Sequence, residues 1–316
     1  MVSIIVPIYN VESHIEKCLR SLLMQSYKNI EYIFVNDCSV DNSMIILQDV
    51  VREFPDRFIK IINHPQNKGL AAARKTGIEN STGKYILHID SDDWLHEDAV
   101  SLLYNKAEYE RADIVVYDLR HVYSSSEIVE INEVGVSKEE YLKMILERQT
   151  SVNLVTKLFK ANLCKKMDTL PIEGLNYGED YVVLPRIVYY AEKIVKLNNV
   201  LYNYNHLNEQ SYTNTVSRNS VINLMQAMHV LKTFFEKKKD GFKYKRFLIQ
   251  SQIINNNILL TVCKDEDIAF VVENYEKYDL KYIYNLPKRH ILLYTLSMLR
   301  FKFGIHLYRF VRKIKY

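Results

Sequence analysis

Several features are missing from this chain of 316 residues, and each absence narrows what it does. No window reaches the roughly 18 uninterrupted apolar residues that a membrane-spanning helix needs, so no span is expected. The four cysteines, Cys18, Cys38, Cys164 and Cys263, show neither metal-like nor redox-like spacing. That argues against a disulfide framework and fits a reducing compartment. No charged leader, apolar stretch and small-residue cleavage site precede the first strand-like segment, so a cytoplasmic start is expected. Internal repeats and low-complexity tracts are also lacking. Acid is absent from one region: Leu280 to Tyr316 holds nine Lys or Arg and no Asp or Glu. The remainder therefore carries 33 basic against 38 acidic residues, although the whole chain has a net charge of +4. What is present, 48% hydrophobic and 25% charged residues, is the mix of a globular protein with one large domain or two ordinary ones.

The first hundred residues alternate strand and helix. "SIIVPIY" (Ser3 to Tyr9) is a continuous apolar run suited to a parallel strand, and "VESHIEKCLRSLLMQS" places Ile15, Cys18, Leu19, Leu22 and Leu23 at helical spacing. "IEYIFVND" reads as a second strand and "SVDNSMIILQDVVREF" as a second helix, opened by Ser39 or Asp41. "FIKIIN" predicts a third strand, about Gly69 to Asn80 a third helix, and "KYILHID" a fourth strand. Repeated βα units imply a parallel sheet, whose ligands gather at the carboxyl ends of its strands. Tyr9 and Asn10, Asn36 and Asp37, and Asp90 to Asp93 then share one rim. Beyond Asp113 two strands are expected around a Ser-rich turn, then helices at about Ser137 to Arg148 and Glu179 to Ala191, and another strand. Three or four helices are expected after Val216. The pattern divides the chain into the spans 1–112, 113–215 and 216–316, the first a repeated βα region, the second mixed and the third basic and helical.

The fourth strand stops on three carboxylates, Asp90, Asp92 and Asp93. A turn there could bring them together on one cation, and hard oxygen donors select Mg²⁺ or Mn²⁺. The plainer alternative is a helix start, where acids favour the dipole. "NKGLAAARKTG" supplies a complement: Gly69 lets backbone approach a ligand, and Lys68 and Arg74 offer cations to an anionic group. Asn36 and Asp37 could read a base edge or ribose hydroxyls, or simply cap a turn. Glu179 and Asp180 precede an apolar helix; they are either first-turn acids or a general base that takes a hydroxyl proton. His206 could reach a metal or diphosphate, or make an ordinary polar contact.

In order and spacing, "VSIIVPIYN", "VNDCSVDNS", "NKGLAAARKTG", "YILHIDSDDWL" and "GEDYVVLPRI" resemble the family 2 glycosyltransferases of the GT-A fold. The resemblance runs over roughly Met1 to Thr213 and is strongest to bacterial enzymes of capsule, exopolysaccharide or lipopolysaccharide synthesis. It implies an α/β fold, Rossmann-like with a mainly parallel sheet flanked by helices, and a C-terminal helical region. It also implies inverting transfer of a hexose or N-acetylhexosamine from a UDP-sugar to a saccharide or lipid-linked acceptor hydroxyl. Carried over, Pro7, Tyr9 and Asn10 line the nucleoside pocket and Asp37 meets the uracil or ribose. Arg74 faces the nucleotide and Asp90 the ribose or sugar, with Ser91 among the donor-binding residues. Asp90, Ser91 and Asp92 form the DXD pattern, in which Asp92, with Asp93, holds Mn²⁺ or Mg²⁺ against the diphosphate. Asp180 is the base, and Glu179 orients acceptor or sugar hydroxyls. Two positions depart from the family: its "DDGS" is here "NDCS", and a basic residue late in the domain is here Asn205 or His206.

The C-terminal stretch from Lys288 mixes Leu, Ile, Phe and Tyr with Lys and Arg at near-helical spacing. Such a helix suits peripheral contact with the inner face of an anionic membrane, or packing on the body with a solvated basic face. Pairing of two chains through these helices is also open. No recognition motif accompanies the charge, so nucleic acid is not an expected partner. Two other functions share parts of the pattern. A sugar nucleotidyltransferase would carry a Gly-rich loop after the first strand, where this chain has "PIYNVESH". A non-catalytic nucleotide-sugar binding module would have no use for the full set of Arg74, Asp92 and Asp180.

Overall fold

The computed structural model describes residues 1–208 and 216–314, with side chains to residue 311. The expected boundary at 215 and the last two residues lie outside the described residues. The chain runs β1 (Val2–Ile8), α1 (Ile15–Leu23), β2 (Ile30–Asn36), α2 (Ser43–Arg52), β3 (Phe58–Asn63), α3 (Leu70–Asn80), β4 (Tyr85–His88), β5 (Trp94–Leu95) and α4 (Ala99–Glu110). It continues through β6 (Ile114–Val122), β7 (Glu127–Glu130), α5 (Lys138–Leu146), β8 (Lys157–Lys160), α6 (Ala161–Cys164), α7 (Glu179–Tyr190) and β9 (Ile194–Asn205). Five helices follow: α8 (Arg218–Glu236), α9 (Lys245–Val262), α10 (Ile268–Glu273), α11 (Lys288–Met298) and α12 (Lys302–Ile314). That exceeds the three or four expected, because short turns at Asp265–Asp267 and around Leu299 divide apolar stretches that read as continuous.

One sheet in the order β3-β2-β1-β4-β8-β6-β9-β5 spans the first two of the expected spans, with β7 paired to β6. Strands β3, β2, β1 and β4 are parallel, as the βα pattern requires. The second half is mixed: β8 runs antiparallel to β4 and β6, and β5 antiparallel to β9, while β6 and β9 are parallel. Every residue of β1 and β2 is buried. Side chains alternate across the pleat. Val2, Ile4, Val6 and Ile8 therefore pack with Ile15, Leu19 and Leu22 of α1, while Ile5 joins the opposite cluster with Ala73, Ile78 and the helices α5, α7, α8 and α9.

Glu31 is the exception on β2. It has no exposed side-chain surface, yet it accepts from Ser3 Oγ (2.5 Å), Lys60 Nζ (2.6 Å), Thr82 N (2.7 Å) and Thr82 Oγ1 (2.9 Å). A buried carboxylate so saturated ties β1, β2, β3 and the start of β4 together at the end opposite the rim.

Candidate active site

The parallel strands end where β1 delivers Tyr9 and Asn10, β2 delivers Asp37 and β4 delivers Asp90. These ends are laced together. Asn10, in the left-handed region (φ 49°), accepts from Val40 N at 3.0 Å through Oδ1, and Asn36 Oδ1 accepts from Ser39 N at 2.8 Å. Asp37 is buried and accepts from Lys68 N (2.9 Å) and Gly69 N (2.7 Å), with His64 Nδ1 at 2.7 Å. Its carboxylate thus fixes the turn that enters α3. Lys68 contributes backbone to that turn, and its side chain is not among those lining the cavity. Gly69 has φ 88°, and a Cβ there would lie 2.2 Å from Asn176 Nδ2, so a side chain is excluded on both counts.

A cavity of about 620 Å³ opens on this rim. Pro7, Tyr9, Asn10, Asp37, Arg74, Asp90, Ser91, Asp92, Glu179 and Asp180 all line it, which unites ten of the residues singled out from sequence. At its centre Arg74 of α3 is 1% exposed. Its Nη2 donates to Asp90 Oδ1 at 2.7 Å and its Nη1 to Asp180 Oδ1 at 2.5 Å, and Nη1 also meets Glu179. Burial alone would depress this guanidinium; Asp180 and Asp90 outweigh it and hold its pKa above the usual value. His88 is pushed down to about 3, first by burial and then by Arg74, so it is neutral and adds no charge. Three carboxylates, Asp90, Glu179 and Asp180, therefore share the buried Arg74, with Asp92 on the same cavity. Burial raises the pKa of Asp90, with Asp92 and Asp180 adding to the effect and Arg74 opposing it.

The two acids opening α7 divide their work by exposure. Glu179 is 3% exposed and held on Arg74, with Oε2 buried and without a hydrogen-bond partner among the described residues. Asp180 keeps 22% of its side chain exposed and is the more accessible acid of the pair. Leu154 N donates to its other oxygen at 3.3 Å. Gly178, at φ 82°, turns the chain into the helix.

The three carboxylates after β4 do not converge, and no helix opens there. β5 intervenes, and α4 is preceded by Asp98. Asp93, expected beside Asp92 at a metal, is 1% exposed and turned into the fold. Tyr202 Oη donates to it at 2.5 Å and Asn205 N at 2.7 Å, and burial raises its pKa well above the carboxylate range. Tyr202 Oη also accepts from Asp90 N at 3.2 Å, so β9 clamps the turn. Asp92 is left half-buried on the cavity, with Asn208 Nδ2 donating to Oδ2 at 2.8 Å. His206 is not among the cavity residues. Its Nε2 lies 2.9 Å from His121 Nδ1 and its ring stacks on Tyr123 with centroids 4.2 Å apart. Arg148, Asn153, Asn176, Tyr177, Tyr204 and Asn208 line the cavity without having been singled out. Arg148, Asn153 and Asn176 lie in segments with no motif signal, whereas Tyr177 adjoins the Glu179–Asp180 motif and Tyr204 and Asn208 flank His206.

The sequence model of "Glycosyl transferase family 2" matches residues 3–157, the stretch from β1 through α5 that ends at the first residue of β8. Over these residues the chain is similar to glycosyl transferase family 2. "Glycosyltransferase GlyA" of Streptococcus pneumoniae is 34% identical over 216 residues, covering 64% of this chain and 30% of that protein. The chain spans 30–60% of the length of curated relatives of this kind. Among solved structures, S. aureus TarS residues 1–349 in complex with UDP-GlcNAc superposes with a TM-score of 0.76 at 19% identity, covering 99% of this chain and 90% of that one. The mannosyltransferase PcManGT from Pyrobaculum calidifontis, in complex with GDP-Man and Mn²⁺, gives 0.56 at 14% identity, covering 98% and 82%. At these identities the structures establish the fold: a mixed α/β sheet of GT-A type with a helical C-terminal region.

Proposed function

We propose that this protein transfers a hexose or N-acetylhexosamine from a UDP-sugar to a hydroxyl of a saccharide or lipid-linked acceptor in bacterial surface polysaccharide synthesis, with inversion at the anomeric carbon. The observation that carries the reading is Arg74, which joins the donor rim at Asp90 to the acid pair Glu179–Asp180 inside one cavity. In a single displacement the acceptor oxygen forms the new glycosidic bond as the bond to diphosphate breaks, and the acceptor proton must leave. Asp180, the exposed acid of the pair, takes that proton. Glu179 and Arg74 hold it in place, and the unpartnered Glu179 Oε2 is available to a sugar or acceptor hydroxyl. Pro7, Tyr9, Asn10 and Asp37 flank the nucleoside, with Ser91 beside the donor.

The residues suit Mn²⁺ or Mg²⁺. Among the described residues no three His, Cys, Asp or Glu side chains form a ready-made metal cage. Asp92 with Asn208 offers a single carboxylate, and such cations commonly take one or two carboxylates together with phosphate oxygens and water. The excess of acid in this cavity over Arg74 and Arg148 favours a cation as well. When bound, it would neutralise charge on the departing diphosphate. Among the described residues no helix is long and apolar enough to cross a membrane. Exposed Phe301, Phe303, Leu307 and Phe310 on and beside α12 support peripheral membrane contact at the cytoplasmic face; Arg309, by contrast, packs on the body through Asp265 and the Cys263 carbonyl.

The test is UDP release from UDP-glucose, UDP-galactose and their N-acetylamino forms with Mn²⁺ and a panel of acceptors, for the wild type and Asp180→Asn. The expected result is turnover in the wild type, a fall of at least about 10²-fold in the variant, and unchanged donor binding. Equal turnover by the variant would remove Asp180 as the base.

A further inference from the structure

A second cavity, of about 800 Å³, lies between α5, α9 and the start of α11. Lys143, Arg148, Arg246 and Arg289 line it, against one acid, Glu147. None of the four cations makes a salt bridge within 4 Å among the described residues. Glu147 is acted on by Lys143 and Arg246 only at longer range, and burial, its main influence, raises its pKa.

Arg148 connects this cavity with the first, because it lines both. Its Nε donates to Asn255 Oδ1 at 2.7 Å, and its guanidinium lies 4.5 Å from the centre of the Tyr181 ring. Tyr181 directly follows Asp180. Burial lowers the Arg148 pKa, and no carboxylate compensates, so a charge has been drawn inside without its counter-ion. The backbone makes the placement more costly. Arg148 N bonds Ile145 O at 3.1 Å and Gln149 N bonds Met144 O at 2.8 Å, which closes α5 in the pattern that normally has glycine at the position after the cap. Arg148 occupies that position with φ 54°. Arg111 and Arg300 close their helices in the same way, so what sets Arg148 apart is its place on both cavities.

We propose that this second cavity binds a phosphoryl group carried by the acceptor, with Arg148 on the side of the base and Lys143, Arg246 and Arg289 around the anion. Arginine forks and lysine ammonium groups are the side chains that recognise such oxyanions. The donor diphosphate belongs to the Asp92 side of the first cavity, so this group is a separate one. The assignment to the acceptor rests on the glycosyltransferase reading; the anion site does not. Two sources share the chemistry, an internal phosphodiester of a polymer and a terminal diphosphate on a lipid carrier.

The experiment titrates the full chain, saturated with UDP and Mn²⁺, with inorganic pyrophosphate and separately with bis-glycerol phosphate, at ionic strength matched with NaCl. Wild type, Arg246→Ala, Arg289→Ala, Arg148→Gly and Glu147→Gln are compared, and UDP affinity is measured for each. Expected are at least tenfold weaker anion binding in the three arginine variants, tighter binding in Glu147→Gln, and unchanged UDP affinity in Arg246→Ala and Arg289→Ala. Arg148→Gly should melt no lower than the wild type, since glycine relieves its backbone, which separates lost binding from lost folding. Preference for pyrophosphate assigns the terminal diphosphate, and preference for the diester assigns the internal one. Anion binding within twofold of wild type in all three arginine variants overturns the site. Should UDP fail to bind while the anion still depends on these arginines, the donor reading fails and the anion site stands.

Discussion

Arg74→Met removes the cation at the centre of the first cavity while keeping most of its volume. Three carboxylates, Asp90, Glu179 and Asp180, then face one another without their shared counter-ion, two of them on side chains no more than 30% exposed and Glu179 at 3%. Breaking a buried ion set by removing one member costs about 3–5 kcal/mol. In a domain somewhat above 150–250 residues each kcal/mol moves Tm by roughly 2–4 °C, so a fall of about 10 °C at pH 7.5 is expected. The sign with pH follows from the cluster. Arg74 opposes the rise that burial imposes on Asp90, so its loss raises the folded-state pKa further above the unfolded value. Groups with raised folded pKa contribute stability below the unfolded pKa and lose it as pH rises through the folded pKa. The deficit of Arg74→Met relative to wild type should therefore shrink at pH 5, and adding Glu179→Gln should restore part of Tm at pH 7.5. Thermal melts at the two pH values read both effects. A deficit that is absent, or identical at pH 5 and 7.5, refutes the picture of Arg74 as the shared counter-ion.

Other outcomes follow from the same contacts. Glu31→Gln should cost about 3 kcal/mol at pH 7 by leaving Lys60 against an amide. Burial works against the Glu31 carboxylate, but hydrogen bonds from Lys60, Ser3 and Thr82 outweigh it and lower its pKa. Its stabilisation is thus complete above the unfolded carboxylate value and is lost as pH falls through the folded one. The gap between wild type and variant should close in acid, which denaturant titrations from pH 7 to pH 3 will show. Tyr202→Phe deletes the hydroxyl shared by Asp93 and Asp90 N, and should cost about 1–3 kcal/mol and weaken Mn²⁺-dependent UDP binding, checked by melting and calorimetry.

The parallel half of the sheet was legible because fully buried strands read as apolar runs and their crossovers as amphipathic helices. The rim followed, and with it the placing of Tyr9, Asn10, Asp37 and Asp92 on one cavity, whereas Pro7 was reached through the family resemblance and Asp180 through the acid pair that opens α7. The short antiparallel strands were not legible: β5 has two residues and β8 is only "KLFK", too little for a period to show. Asp92 and Asp93 are chemically identical neighbours. What separates them is Tyr202 on β9, more than a hundred residues away, whose hydroxyl claims Asp93. Glu179 and Asp180 were read as a pair, and their division depends on how deeply the first turn of α7 is buried. Arg148 looks like any basic residue at a helix end; its left-handed backbone and its stacking on Tyr181 are visible only in three dimensions.

The most direct test of the proposed donor site is the thermal stabilisation of the full chain by UDP, with and without Mn²⁺, in the wild type and in Asp92→Asn. At about 100 times its dissociation constant UDP should add about 2.7 kcal/mol of stability. The account predicts that this gain needs both Mn²⁺ and the Asp92 carboxylate. A gain that is the same without the metal, or in Asp92→Asn, would contradict it.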